Sequence, residues 1–210
     1  MTNSSKARAS IKPACERFLL WVDAVGGYLV CLGDEVTIGQ AGPNSRVDVP
    51  IVGDLSRAHA RIRRSGEGYV IESAGPGRVI RLGGRTLRGT TAIFDGEELE
   101  LGPSVRFRFR QPNRLSSTAR LDFLSNHRTH PSADGIVLMA ESCILGPALN
   151  SHIVCRDWSS DMVLYRRDGR LHCRGNDQIE VDGRVCKGSG LLLPNSHVVG
   201  ADFALTLETI

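Results

Sequence analysis

The chain has 210 residues, 41% hydrophobic and 23% charged, with a net charge of +3 and 5% aromatics. That balance is globular rather than disordered and makes one large or two small domains, and so weak a net charge argues against a dedicated nucleic-acid binder. The six cysteines contain no C-x-x-C pair, so they read as reduced, small hydrophobes of a cytoplasmic protein and not as a metal site.

Residues 1–14 are rich in Ser, Lys, Arg and Ala without an apolar period, and are expected to form a mobile tail. Short strands follow. Phe18–Val22 and Tyr28–Leu32 are joined through Gly26-Gly27. This apolar run is interrupted by Asp23 and is too short and broken to span a membrane. Val36–Gly39 is a third strand, and a Gly/Pro/Asn loop leads to Val47–Val52. A polar turn then runs into Ala60–Arg64 and Tyr69–Ile71. Residues 74–77 make a loop, Val79–Leu82 and Thr86-Leu87 flank Gly83-Gly84, and Leu99–Leu101 and Val105–Phe109 close the segment. No long helical period interrupts this series, which predicts an all-β chain built as β-sandwiches.

The polar turn carries the chemistry. In Asp54-Leu55-Ser56-Arg57-Ala58-His59, Asp54 and Ser56 can bond back to their own backbone. Ser56 offers a hydroxyl and Arg57 a planar fork of donors; side by side on a loop, they suit an anion with several oxygens, such as a phosphate. Between Leu55 and Ala92 eight arginines stand against Glu67 and Glu72, a basic excess around the turn. The plainer alternative is an ordinary turn beside a solvated arginine face. His59 has no carboxylate-and-nucleophile set at a recognisable spacing, and His127 and His130 have no third ligand nearby, so neither catalysis nor metal binding is expected.

The order Ser-Arg-x-His-Ala after Ile38-Gly39 resembles the forkhead-associated (FHA) domain, and the likeness extends from Phe18 to Phe109. The resemblance implies that Ser56 and Arg57 ligate the phosphate of a phosphothreonine peptide, while His59, with Gly39, supports the turn. Two positions depart from the family. Gln40 replaces an Arg, keeping hydrogen-bonding capacity without charge. The loop that carries an Asn-Gly in the family reads Gly75-Pro76-Gly77-Arg78, so Arg78 or Arg81 is the candidate for a substitute charge.

Beyond a polar linker, Gln111–Thr118, the pattern begins again. Arg120–Leu124 overlays Phe18–Val22, Ile136–Met139 overlays Tyr28–Leu32, and Cys143–Gly146 overlays Val36–Gly39. Asp157–Arg167 overlays Asp54–Arg64 without a gap, and Asp182-Gly183 echoes Gly83-Gly84. This is an internal duplication. The ligand positions fail in the second copy: Ser160 stands for Arg57, Asp161 for Ala58, Met162 for His59 and Pro147 for Gln40. A carboxylate beside a phosphate repels it. Trp158 is either a core residue or a contact for a partner.

The expected organisation is a tail (1–14), an FHA-like phosphopeptide-binding domain (15–110), a linker (111–118) and a diverged FHA-like domain (119–210). The expected function is non-catalytic and needs no cofactor: recognition of a phosphorylated protein at phosphothreonine. Ser56, Arg57, Gln40 and Arg78 face the ligand, and His59 and Gly39 support them. A phosphate-independent interaction scaffold is the rival, favoured by the missing Arg and Asn. A nucleic-acid binder using the arginine cluster is the other, which the low net charge opposes. Oligomeric state is left open.

Overall fold

The computed structural model describes residues 17–210, and the expected tail lies outside them. The first repeat holds β1 (Arg17–Val22), β2 (Gly26–Cys31), β3 (Glu35–Gln40), β4 (Val49–Ile51), β5 (Ala60–Ser65), β6 (Gly68–Ser73), β7 (Ile80–Leu82), β8 (Arg85–Thr86), β9 (Thr91–Ile93), β10 (Glu98–Leu101) and β11 (Val105–Arg110). The second holds β12 (Ala119–Phe123), β13 (Gly135–Leu138), β14 (Ser142–Gly146), β15 (Ile153–Val154), β16 (Met162–Arg167), β17 (Arg170–Val181), β18 (Arg184–Leu192), β19 (His197–Val199) and β20 (Ala204–Thr209). The described residues contain no helix, and none is therefore long and apolar enough to cross a membrane.

The strands follow from their alternation. In β11, Val105, Phe107 and Phe109 point inward and the arginines between them outward, the period-2 pattern of a half-buried strand. The two repeats turn their matching hairpins alike. Gly83 and Gly84 have φ of 55° and 78°, and Asp182 and Gly183 have 53° and 77°. Two successive left-handed residues make the tight turn that suits twisted strands.

The repeats exchange their leading hairpins. β1 pairs with β20, the last strand of the second repeat, while β11, the last strand of the first, pairs with β12. β2 and β13 lie side by side in parallel. The result is a 15-stranded sheet running through both repeats, with β4-β3-β5-β6-β9 as a separate 5-stranded sheet.

Two cores form on opposite faces of the shared strands. Ala119, Leu121, Ile136 and Leu138 of the second repeat join Ile38, Ile62, Phe107 and Phe109 in one. Phe18, Leu20, Val22 and Val30 of the first repeat join Leu145, Leu164, Val198 and Leu205 in the other. Each fully buried side chain of this size contributes about 1.5–3 kcal/mol, so neither sandwich is complete without the other repeat's hairpin. Neither core is confined to 17–110 or to 119–210.

The exchange corrects one detail of the overlay. Leu20 pairs with Leu207 and Leu121 with Phe109, so Leu121, not Asp122, occupies the place of Leu20. The overlay of Arg120 on Phe18 is therefore one residue out, and in a strand one residue reverses every face. The linker is also less free than its polarity suggested. Gln111 Nε2 donates to the Glu67 carbonyl at 2.8 Å. Thr118 is buried and donates to the Ser142 carbonyl at 2.6 Å. Between these anchors, Leu115 is 98% exposed.

Candidate functional site

The turn at 56–59 is clamped from below by the end of β3. The Gln40 N–H donates to the Ser56 carbonyl at 3.0 Å, and the His59 N–H donates to the Ile38 carbonyl at 2.8 Å. Between these bonds Gly39 lies so close to the turn that a Cβ would stand 2.2 Å from the Arg57 carbonyl oxygen. Only glycine allows that approach.

His59 ties the turn from inside. The Ser56 N–H donates to its Nδ1 at 3.3 Å, which leaves Nε2–H to donate to the Val79 carbonyl at 2.9 Å. The ring is 4% exposed. One side chain thus fixes both the Ser56 backbone and the start of β7, and its nitrogens are spent on structure.

What the clamp presents is open. Ser56 is half-buried, and Arg57 and Gln40 are exposed. Among the described residues, no hydrogen bond or ion pair engages the side chain of any of the three. A hollow of about 470 Å³ beside Ser56 is lined by Asp54, Leu55, His59, Gly77, Val79, Arg81, Gly102 and Pro103. Arg78 folds back instead: its Nη1 lies 1.6 Å from where a Gly75 Cβ would be. Ser73 closes the same loop by donating to the Gly75 carbonyl at 2.6 Å.

The basic cluster is partly neutralised. Arg61 pairs with Glu35 at 3.3 Å and Glu72 at 3.0 Å, and hydrogen bonds from Thr90 and then Arg61 hold the Glu72 carboxyl below its ordinary range. Arg64 pairs with Asp34 at 2.5 Å, and Arg81 with Glu100 at 3.4 Å. Arg81 therefore lines the hollow with its charge already engaged.

In the second repeat the turn is one residue shorter. Leu55 and Trp158 are each 5% exposed at its start. At its end, Met162 pairs with Leu145 as Ala60 does with Ile38. Residues 159–161 thus do the work of 56–59, and Met162 corresponds to Ala60 rather than His59. The gap-free overlay fails here because a single deletion inside a polar turn leaves no mark on the apolar pattern. The Ser159 N–H already donates to the Asp202 carboxylate at 2.5 Å, and bonds from the Ser159 side chain and backbone hold that carboxyl below its ordinary range. The corresponding hollow is lined by Asp23, Asp157 and Asp202. Trp158 stacks on Phe203 at 4.7 Å and belongs to the core.

Sequence reasoning did not find the Val79 acceptor or the Asp202 cap. A backbone carbonyl has no residue signature, and Asp202 lies far from Ser159 in sequence.

No family model matches the sequence, and no curated protein does. Among solved structures, Mycobacterium tuberculosis EmbR in complex with a low-affinity phosphopeptide is 23% identical, with a TM-score of 0.35. That match covers 45% of this chain but only 24% of the EmbR chain. The FHA domain of CT664 from Chlamydia trachomatis is 24% identical over 41% of this chain and 89% of that one, with a TM-score of 0.31. The N-terminal FHA domain of EssC, a component of the bacterial type VII secretion apparatus, is 12% identical over 91% of this chain and 92% of that one, with a TM-score of 0.25.

Proposed function

We propose that this chain is a non-catalytic recognition module in which the Ser56–Arg57 turn binds phosphothreonine in a partner protein. One observation carries the reading: the turn is held by Gly39 and His59, while the Ser56 hydroxyl and Arg57 guanidinium have no partner among the described residues. A rigid backbone with uncommitted donors spends little ordering free energy on binding. A phosphate brings roughly two negative charges and needs donors in place of its water. Gln40 stands at the end of β3 to add a neutral hydrogen bond. Arg78 needs only to swing off Gly75 to add charge. The free thiols, four of them buried, suit a reducing cytoplasm.

The neutral Gln40 and the absence of Asn from the 74–79 loop favour a second reading, a scaffold that binds protein without phosphate. Titrating a phosphothreonine peptide library and its unphosphorylated twin into the full chain separates the two. Ser56→Ala and Arg57→Ala are each expected to weaken phosphopeptide binding by about 1.5–3 kcal/mol, the scale of a charged hydrogen bond. Arg57→Lys keeps the charge without the fork and recovers only part. Equal affinity for both libraries sinks the phosphate reading.

A further inference from the structure

We infer that the β12–β13 loop, encoded in the second repeat, forms a wall of the first repeat's binding face and reads acidic residues beside the phosphorylated one. This rests on the function proposed for the Ser56–Arg57 turn.

The loop reaches that face because the hairpins are exchanged. It runs along the open edge of β4: the Val52 N–H donates to the Arg128 carbonyl at 3.0 Å, and the His130 N–H to the Pro50 carbonyl at 2.9 Å. Ile51 and Thr129 form a bridge between these bonds, and Thr129 is 2% exposed. His127 packs on Gly53, where a Cβ would meet its Cδ2 at 2.8 Å. Its ring is held between Ser125 at 2.9 Å and Ser104 at 3.4 Å. It therefore sits between the turn that leads into Ser56 and the turn that follows Gly102, and both of those turns line the hollow.

Alternation then decides what Arg128 does. Its neighbours His127 and Thr129 face the protein, so Arg128 faces out. Its side chain is 49% exposed and stands 3.8 Å from Asp134, a loose pairing; its other bond is to the carbonyl of the adjacent His127, at 2.9 Å. Covering the edge of β4 needs the backbone bonds and Thr129, but not a cation at 128. With Arg57 this gives two lightly committed guanidiniums on loops that meet at Gly53, complementary to an acidic peptide.

The repeats differ here in a telling way. In the second sandwich the corresponding connection, between β1 and β2, is only residues 23–25, against 124–134 between β12 and β13. The long loop thus stands beside the turn that has anion-binding donors, and the short one beside the acidic hollow.

The test uses the full chain and phosphothreonine peptides that differ only in carrying Asp or Lys at the positions flanking the phosphorylated residue. The unmodified protein is expected to prefer an acidic flank by roughly fivefold, the scale of an exposed ion pair. Arg128→Glu is expected to remove or invert that preference. Ser56→Ala is expected to weaken all the peptides alike. An unchanged preference in Arg128→Glu, with phosphopeptides still bound, overturns the wall but not the phosphate site. Failure of every phosphopeptide to bind the unmodified protein overturns both.

Discussion

Asp48 and His152 perform the same task in the two repeats. The Thr37 N–H donates to Asp48 Oδ2 at 2.7 Å, and the Ile144 N–H donates to His152 Nδ1 at 2.8 Å. Each closes its third strand onto its fourth. The imidazole does this only when it is neutral.

The second repeat is therefore expected to be acid-sensitive. His152 is fully buried, and burial, with the nearby Arg120 charge, pushes its pKa down to about 4. Unfolded, it takes up a proton near pH 6.5. Between those values the unfolded chain binds a proton that the folded chain refuses, so stability falls as pH drops from about 6.5 to about 4, by about 3 kcal/mol at most. His152→Asn keeps an acceptor for Ile144 and removes the titration. Melting temperatures at pH 7 and pH 5 should converge in that variant; an unchanged gap would place the acid sensitivity elsewhere.

Gly39→Ala is expected to cost about 1–3 kcal/mol, the range for overpacking, and to displace the Ser56–Arg57 turn. The obstacle is backbone: the Arg57 carbonyl and the Ala58 Cα. At Gly146 the nearest obstacle is Asp161 Oδ1, the end of a side chain that can rotate away. Denaturant unfolding should therefore show the larger loss for Gly39→Ala, and equal losses would contradict the contact geometry.

His59→Ala leaves the Ser56 N–H without its acceptor and takes one of two donors from the Val79 carbonyl, which keeps the Gly102 N–H at 3.0 Å. The expected loss is about 1–3 kcal/mol, while Arg57→Ala, at an exposed position, should stay within about 0.5 kcal/mol of the parent. Thermal melts of the two variants would reverse this order if His59 were a ligand rather than a brace.

A cut in the linker should not separate the halves. Arg114 and Leu115 are exposed, so trypsin is expected to cleave there. The fragments remain joined by β1–β20, β2–β13 and β11–β12. Gel filtration of the nicked protein should give one species until denaturant is added. Two separate fragments in native buffer would mean that each repeat closes on its own hairpin.

With Ser56→Ala and Arg57→Ala combined, no phosphopeptide binding should remain in the full chain. The second turn holds its own carboxylate, Asp202, on the Ser159 N–H, and desolvating a phosphate against carboxylates costs more than two neutral hydrogen bonds return. Residual phosphate-dependent binding in isothermal titration would locate a second site.

The sequence by itself determined the all-β class, the clearest of its strands and the contents of the turn. Inward and outward residues alternate visibly in β11 and β5. Gly83-Gly84 and Asp182-Gly183 announce their hairpins through local backbone preference. Ser56 and Arg57 show their hydroxyl and guanidinium donors directly in the sequence. Such signals are local, carried by residues a few positions apart. Only the tertiary structure decided which hairpin completes which core. β1 and β12 both carry an apolar residue at every second position, so either satisfies β11 or β20 as a pattern and composition cannot assign the partner. The same holds for the one-residue slips at Leu121 and Met162, since register is set by the strand opposite. The placement of His127 and Arg128 beside Gly53 follows from that exchange, because a contact between residues so far apart in sequence exists only once the pairing of β11 with β12 has been chosen.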